Sequence, residues 1–546
     1  MRRFPVALLA VSCGFGADFV GNTSCAPCHA AIFRTYTRTP MAQSSGKVGT
    51  EDPKETFDRA EFRDDRAAFS YRVAPDYRFE FTQQGARQPI TGIRALSYFI
   101  GSGAAARTFL MNDLEVGDGG FLFESPVTYY RQSASWKASP GFEGLDYPYL
   151  TRPVVPACLQ CHASAIQANA GTLNGYATPP FLENGVSCER CHGAGGDHIA
   201  TGSAMQNPAK LAPAARDSIC AQCHLSGEVR VSKVGKDGPG KEGRTLTPGG
   251  LLADDLTVFV RAGSPSDLRV TSHVENLAQS ACKRASGNKL WCGTCHDPHT
   301  VPEPNEKAAY FRGKCLSCHQ THDCHAAEEA RLANGDSCTA CHMPRGPTSD
   351  IQHVVFTDHS IRRKPSGSGV APAPTSDPAS ELVPYPSYTA TTRDLALAYA
   401  VVALRDNNAA DRDRAFPLLK QAAEQGTADA QALAYLAEFY RDAKDDAHAL
   451  PIYQQVWRMD QSQYAAAAAL GAYQMQSGNL AAAIQLWREA LALNPAMTLV
   501  RVNLAKALLR TGNSSEAKAT LEKALQLNPA SPDARDLLNQ ISGAVR

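Results

Sequence analysis

Seven copies of Cys-x-x-Cys-His constrain this chain more tightly than any other feature. They are Cys25/Cys28/His29, Cys158/Cys161/His162, Cys188/Cys191/His192, Cys220/Cys223/His224, Cys292/Cys295/His296, Cys315/Cys318/His319 and Cys338/Cys341/His342, and they use 14 of the 17 cysteines. Two cysteines three apart on a helical turn reach the two vinyl groups of one haem and form thioether bonds. The histidine that follows then coordinates the iron from that face. Zinc would take such pairs in twos and gives no reason for a histidine after every second cysteine. A thioredoxin-like dithiol needs one motif, and a disulfide inside Cys-x-x-Cys is strained. The motifs therefore predict seven covalent c-type haems with the motif histidines as proximal iron ligands.

The histidine count extends this reading. Of 15 histidines, seven are proximal and His448 lies far down the chain. His198, His273, His299, His322, His325, His353 and His359 remain, one for each sixth iron position. Met41 is a rival, because a thioether sulfur also binds haem iron. His322 and His325 crowd one short loop. In "WCGTCHDPH", Asp297-Pro298 stiffens a turn too short to wrap round the macrocycle. His299 is thus expected to serve a neighbouring haem rather than the fifth. Outside the motifs stand Cys13, Cys282 and Cys324, and the last two form an even pair for which a disulfide is the economical expectation.

Residues 1–17 read as an export signal, with "MRR" ahead of a short apolar run. Export agrees with c-type haem attachment, which takes place outside the cytoplasm, so the expected location is periplasmic or at the cell surface of a bacterium. "AVSC" faintly resembles a lipobox, which would make Cys13 a lipid anchor. Formal charge is zero and no basic run is present, which argues against nucleic acid, and no later stretch is apolar enough for a transmembrane helix.

Residues 18–363 hold all seven motifs and are expected to fold as short helices and loops packed on haems. A small β-rich insertion is expected at about 68–131, where "AFSYRV" and "YRFEFT" alternate apolar and polar residues. Residues 364–386 are rich in Pro, Ser, Gly and Ala and read as a linker. From 387 to 546 the chain repeats at 34 residues: Ala415, Ala449, Ala483 and Ala517 share one register, and "LNP" at 493–495 returns at 527–529. This resembles the tetratricopeptide repeat (TPR) family, a solenoid of helix–turn–helix units with small residues where helices touch. The expected fold class is mainly α, a multihaem domain followed by an α-solenoid.

The stretches "CAPCHAAIFRTYTRTPMA", "SHVENLAQSACKRASGNKLWCGTCHDPH", "CTACHMPRG" and "HVVFTDHSIRR" resemble the multihaem cytochrome c554-like superfamily. That resemblance implies distal ligation by His273, His299, His353 and His359. The chain departs from cytochrome c nitrite reductases, since every motif ends in His and none in Lys. It also departs from eight-haem hydroxylamine oxidoreductase-like enzymes in haem number. Two functions follow as expectations. The first is an electron carrier whose iron positions are mostly filled by two histidines, with the repeats docking a redox protein partner or self-associating. The alternative is an oxidoreductase with an open site at the first haem, acting on a small nitrogen or sulfur compound, with Arg107 or Tyr98 near the substrate.

Overall fold

Alternating side chains build the first large element. In Phe69–Val73, Phe69, Tyr71 and Val73 are buried and Arg72 is exposed; in Arg78–Gln83, Phe79 and Phe81 are buried. Period-two burial of this kind is what one covered sheet face requires. The computed structural model describes residues 19–51, 53–57, 60–64, 69–84, 89–116, 119–143, 150–234, 246–263, 268–320, 323–363 and 380–543. The expected signal with Cys13, the candidate ligand His322 and residues 364–379 of the expected linker lie outside these.

Ten strands form one antiparallel sheet across 45–184: β1 (Ser45–Lys47), β2 (Glu61–Asp64), β3 (Phe69–Val73), β4 (Arg78–Gln83), β5 (Ile90–Ile100), β6 (Ala106–Val116), β7 (Gly119–Tyr130), β8 (Ser135–Ala138), β9 (Ala163–Ala168) and β10 (Gly175–Asn184). Their order is β2-β3-β4-β5-β6-β7-β10-β9, with β1 on β5 and β8 on β7. Phe69, Phe79, Phe109, Phe123, Tyr129 and Trp136 fill its core.

This sheet corrects the expected mainly α haem domain. The insertion is no small patch at 68–131; the sheet runs from before β2 to beyond the second motif. Two features concealed its extent. β9 starts at Ala163, directly after His162. β10 contains Pro179 and Pro180, which argue against a strand in sequence; the chain accommodates them where the register of β10 against β9 shifts, between Tyr176 and Phe181.

Further along lie β11 (Val229–Ser232), β12 (Leu256–Arg261), β13 (Arg345–Pro347), β14 (Val355–Thr357) and β15 (Leu382–Pro384). β11, β12 and β15 form a three-stranded sheet, and β13 pairs with β14. β15 falls inside the expected linker range and ties the start of the repeats to the haem-motif region.

The repeats form antiparallel helix pairs from Thr392–Arg405 to Ser514–Leu527, followed by Pro532–Gly543. Ala415, Ala449, Ala483 and Ala517 are fully buried, as close helix crossing demands. Capping is local: the hydroxyl of Thr391 accepts from Asp394 N, and side chains of Asn408, Asp429 and Asp445 cap the next three helices. At the far end Leu527 joins the core of the large sheet, and Leu173 N donates to Leu493 O at 2.9 Å. The solenoid therefore meets the rest of the chain at both ends. No helix among the described residues is long and apolar enough to cross a membrane.

Candidate haem-binding centre

The motifs sit on helical turns or at helix ends, the fourth closing the twelve-residue helix Pro213–His224. His29 N, His192 N, His296 N and His319 N donate to the carbonyls of Cys25, Cys188, Cys292 and Cys315 at 2.9, 3.0, 2.9 and 2.9 Å. That i to i+4 bond holds both thiols and the imidazole on one side of the turn, the arrangement one covalently attached haem needs.

The turns pack on one another in a definite order. The first meets the third: Cys188 N donates to Asn22 Oδ1 at 2.9 Å, and the thiols of Cys25 and Cys188 are within hydrogen-bonding reach. Gly185, three residues before Cys188, lets the chain beyond the first motif approach, since a Cβ there would lie 2.1 Å from Ala42 O. The second meets the fourth, with Cys161 Sγ 3.9 Å from Gln222 O. The fourth meets the fifth through Arg216, whose guanidinium lies over Trp291 at 4.9 Å. Helix Lys307–Leu316, bearing the start of the sixth motif, packs against both Cys292–Cys295 and Cys338–His342, and Arg312 pairs with Asp336 at 3.0 Å.

All fourteen motif cysteines are free thiols, and no Cys-x-x-Cys pair is closed into a disulfide. Cys28, Cys158 and Cys318 are exposed, and Cys341, like Cys25, is half-buried. Helices Asn22–Cys25, Lys307–Leu316 and Cys338–His342 contain no buried residue. Cys282 and Cys324, the pair expected to be a disulfide, are also free thiols, the first half-buried and the second exposed.

Several spare histidines face motif histidines. Ring centroids are 6.2 Å apart for His29 and His198, 5.9 Å for His192 and His299, and 6.1 Å for His296 and His359. A metal between two imidazoles sets a spacing of about 6 Å: about 2 Å from each nitrogen to the metal, and about 1 Å from each nitrogen to its ring centre. The other ring nitrogen is occupied in four of these six residues. Nδ1 of His192, His198 and His359 lies 2.8, 2.6 and 3.0 Å from the carbonyls of Gln206, Ser203 and Thr357, and Nδ1 of His299 lies 3.1 Å from Asp297 Oδ1. With the proton held on Nδ1, the Nε2 lone pair is left to ligate. His342 makes the same kind of bond to Arg362 O at 2.7 Å.

His273 is placed differently. It lies 4.9 Å from His224 and 4.7 Å from His359, closer than an iron-spanning pair. Burial, then the neighbouring imidazoles, holds His224 down at about 4 and His273 at about 2. Both rings are neutral at ordinary pH, the protonation state that binds metal. His353 is not brought to a motif histidine among the described contacts; it sits against Tyr130 at 5.2 Å, with Lys137 Nζ 3.4 Å from its Nδ1. His325 is exposed, and Met41 is half-buried, its carbonyl accepting from Val186 N at 2.9 Å.

Arg107 and Tyr98, the residues nominated for an open substrate site, are both buried. Arg107, 2% exposed, is held by Glu51 at 2.7 Å and Glu55 at 3.3 Å, and Tyr98 packs on Phe181 in the sheet.

A second observation concerns the core. Between Arg261 and Val354 no hydrophobic side chain among the described residues is buried. Near the first motif, Ile32 and Ile199 are 48% and 55% exposed beside His29 and His198. A stretch that long does not order itself without burying apolar surface. Haem has the large apolar faces these segments lack, and the donor set suits its iron, so the residues fit the group. Among the described residues no cluster of three or more His, Cys, Asp or Glu side chains converges on a bare metal ion.

The spacer residues of the motifs are the functional candidates that sequence reasoning passed over. Glu189 and Arg190, inside the third Cys-x-x-Cys, are each 6% exposed and bond to other motifs or their flanks. A charged pair within a cysteine turn was the available signal.

Residues 147–193, which contain the second and third motifs, match the family described as Cytochrome c554 and c-prime. Residues 474–541 match the Tetratricopeptide repeat family. The chain thus carries a cytochrome c554-type segment, a kind that binds haem covalently, and TPR repeats, which are protein-interaction modules. Similar solved structures include MamA (19% identity, TM-score 0.23, covering 26% of this chain and 82% of that one) and YrrB, a TPR protein with an unusual peptide-binding site (16%, 0.23, 27% and 73%). The first TPR of Spaghetti (RPAP3) bound to an HSP90 peptide is another (22%, 0.20, 21% and 93%). No curated protein matches.

Proposed function

We propose that the chain is an exported heptahaem c-type cytochrome that passes electrons between haems mostly ligated by two histidines, with its repeats docking a redox protein partner. The observation that carries this reading is the set of three opposed imidazole pairs at 5.9 to 6.2 Å. When bound, haem supplies a one-electron iron couple; the chain's own residues hold, space and shield it. Exposure suits Cys28 and Cys318 to this role, because a thiol must be reachable for a vinyl group to add to it. His198, His299 and His359 would hold the haem irons together with His29, His192 and His296. The motif-to-motif packing would bring neighbouring haems close together, as electron exchange requires.

The intact mature protein is expected to carry seven haem additions by mass. Its oxidised form should be predominantly low-spin by electron paramagnetic resonance, and the reduced form should largely ignore carbon monoxide. Fewer haem additions, or several haems that take up carbon monoxide, would overturn this reading.

His299 gives a sharper test. His299→Ala is expected to convert one haem in seven to a high-spin, carbon-monoxide-binding form. That new signal should vanish when Cys188 and Cys191 are also changed to Ser, and should survive when Cys292 and Cys295 are changed instead. The reverse pattern would return His299 to the fifth haem.

A further inference from the structure

The second spacer residues of three motifs meet at one point. They are Gln160 of the second motif, Arg190 of the third and Gln222 of the fourth. Arg190 Nη2 donates to Gln160 O at 2.9 Å and to Gln222 Oε1 at 2.7 Å. Gln222 Nε2 reaches back to Arg190 O at 3.5 Å. The first spacer residue of the third motif reaches the other way. The Glu189 carboxylate accepts from Val20 N and Gly21 N, each at 3.0 Å, just ahead of the first motif, and from Gly195 N at 2.9 Å. Arg230 on β11 completes the node, donating to Ala221 O at 3.1 Å and Gln222 O at 2.9 Å.

We infer that the Glu189-Arg190 spacer is the positioning node for the first four haem-attachment turns, and that Arg190 places a buried cation among the second, third and fourth haems to raise their reduction potentials. This rests on the multihaem reading above. The motif itself leaves both spacer positions free, so residues there are available to do something other than attach haem. A guanidinium bonded to two separate turns fixes their spacing more firmly than a contact to one. Reduction adds one electron to a haem, so a fixed positive charge nearby favours the reduced form. At 6% exposure that charge is little screened by water.

The test is a spectroelectrochemical titration of the haem-loaded full chain. Arg190→Gln is expected to keep seven haems by mass while shifting part of the titration curve to lower potential. Arg190→Lys, which keeps the charge, should titrate near the wild-type curve. An Arg190→Gln curve that overlays the wild type, or an Arg190→Lys curve that falls equally far, overturns the inference. If Arg190→Gln fails to fold, Arg230→Gln makes the same measurement from the other cation of the node: a shift to lower potential supports the inference, and an overlaid curve overturns it. A haem deficit in the wild-type protein would instead sink the multihaem reading, so the two failures are distinguishable.

Discussion

Produced without haem attachment, the protein is expected to lose the segment between Arg261 and Val354 to brief trypsin treatment, while the ten-stranded sheet and the repeats resist. The sheet has an aromatic core of its own, and the repeats bury alanine, leucine and tyrosine side chains at their crossings. Among its described residues the intervening segment has neither. Ordering a residue costs on the order of 1.5 kcal/mol, and burial of apolar surface is what offsets it. Helices such as Ala281–Ser286 and Glu328–Ala333 contain no buried residue and are too short to persist alone. Lys283, Arg284, Arg312 and Arg331 then become cleavage points that mass spectrometry of the fragments will map. Equal protection with and without haem would mean that the protein orders this segment unaided, and haem would not be its core.

The same contrast explains what was legible in the sequence. The Cys-x-x-Cys-His turns are local: five residues contain the whole attachment chemistry, so the motif can be read wherever it stands. How each turn packs is not local, and nothing in the motif distinguishes half-buried Cys25 from exposed Cys28 and Cys318. The repeats are nearly local, since Ala415, Ala449, Ala483 and Ala517 recur at fixed spacing and each is buried against its neighbours. Pairings between distant residues were not legible. His198 meets His29, His299 meets His192 and His359 meets His296 across long stretches of chain, and a count of histidines says nothing about partners. His353 shows the limit of counting, because its neighbours are Tyr130 and Lys137. The sheet was half read: β3 and β4 alternate plainly, whereas β10 carries two prolines and β9 follows a haem turn without a break. Glu189 and Arg190 gave least warning, since spacer residues obey no periodicity and act through turns elsewhere in the chain.

The seam between the haem-motif region and the repeats contains a buried ion pair, and Asp411→Ala is expected to weaken that seam. Arg261 on β12 donates to Asp411 through both prongs, Nη1 to Oδ1 at 2.9 Å and Nη2 to Oδ2 at 2.6 Å. Their side chains are 3% and 0% exposed. Asp411 lies in the first turn of the helix Ala409–Glu424, where the helix dipole also favours its charge. Removing the carboxylate leaves the guanidinium buried, with the Ser380 carbonyl at 2.8 Å as its remaining acceptor in the described contacts. Breaking a buried pair from one side costs about 3–5 kcal/mol. Denaturant unfolding followed by circular dichroism should therefore show a clear fall in the midpoint of the helical transition, without loss of haem. The double change Arg261→Met with Asp411→Leu should recover most of that loss, because two packed apolar side chains avoid the desolvation cost the ion pair bears. A single variant within about 1 kcal/mol of wild type would mean water reaches the pair, as at an exposed salt bridge. The seam would then be held by β15 and the packing around it, and the ion pair would be incidental.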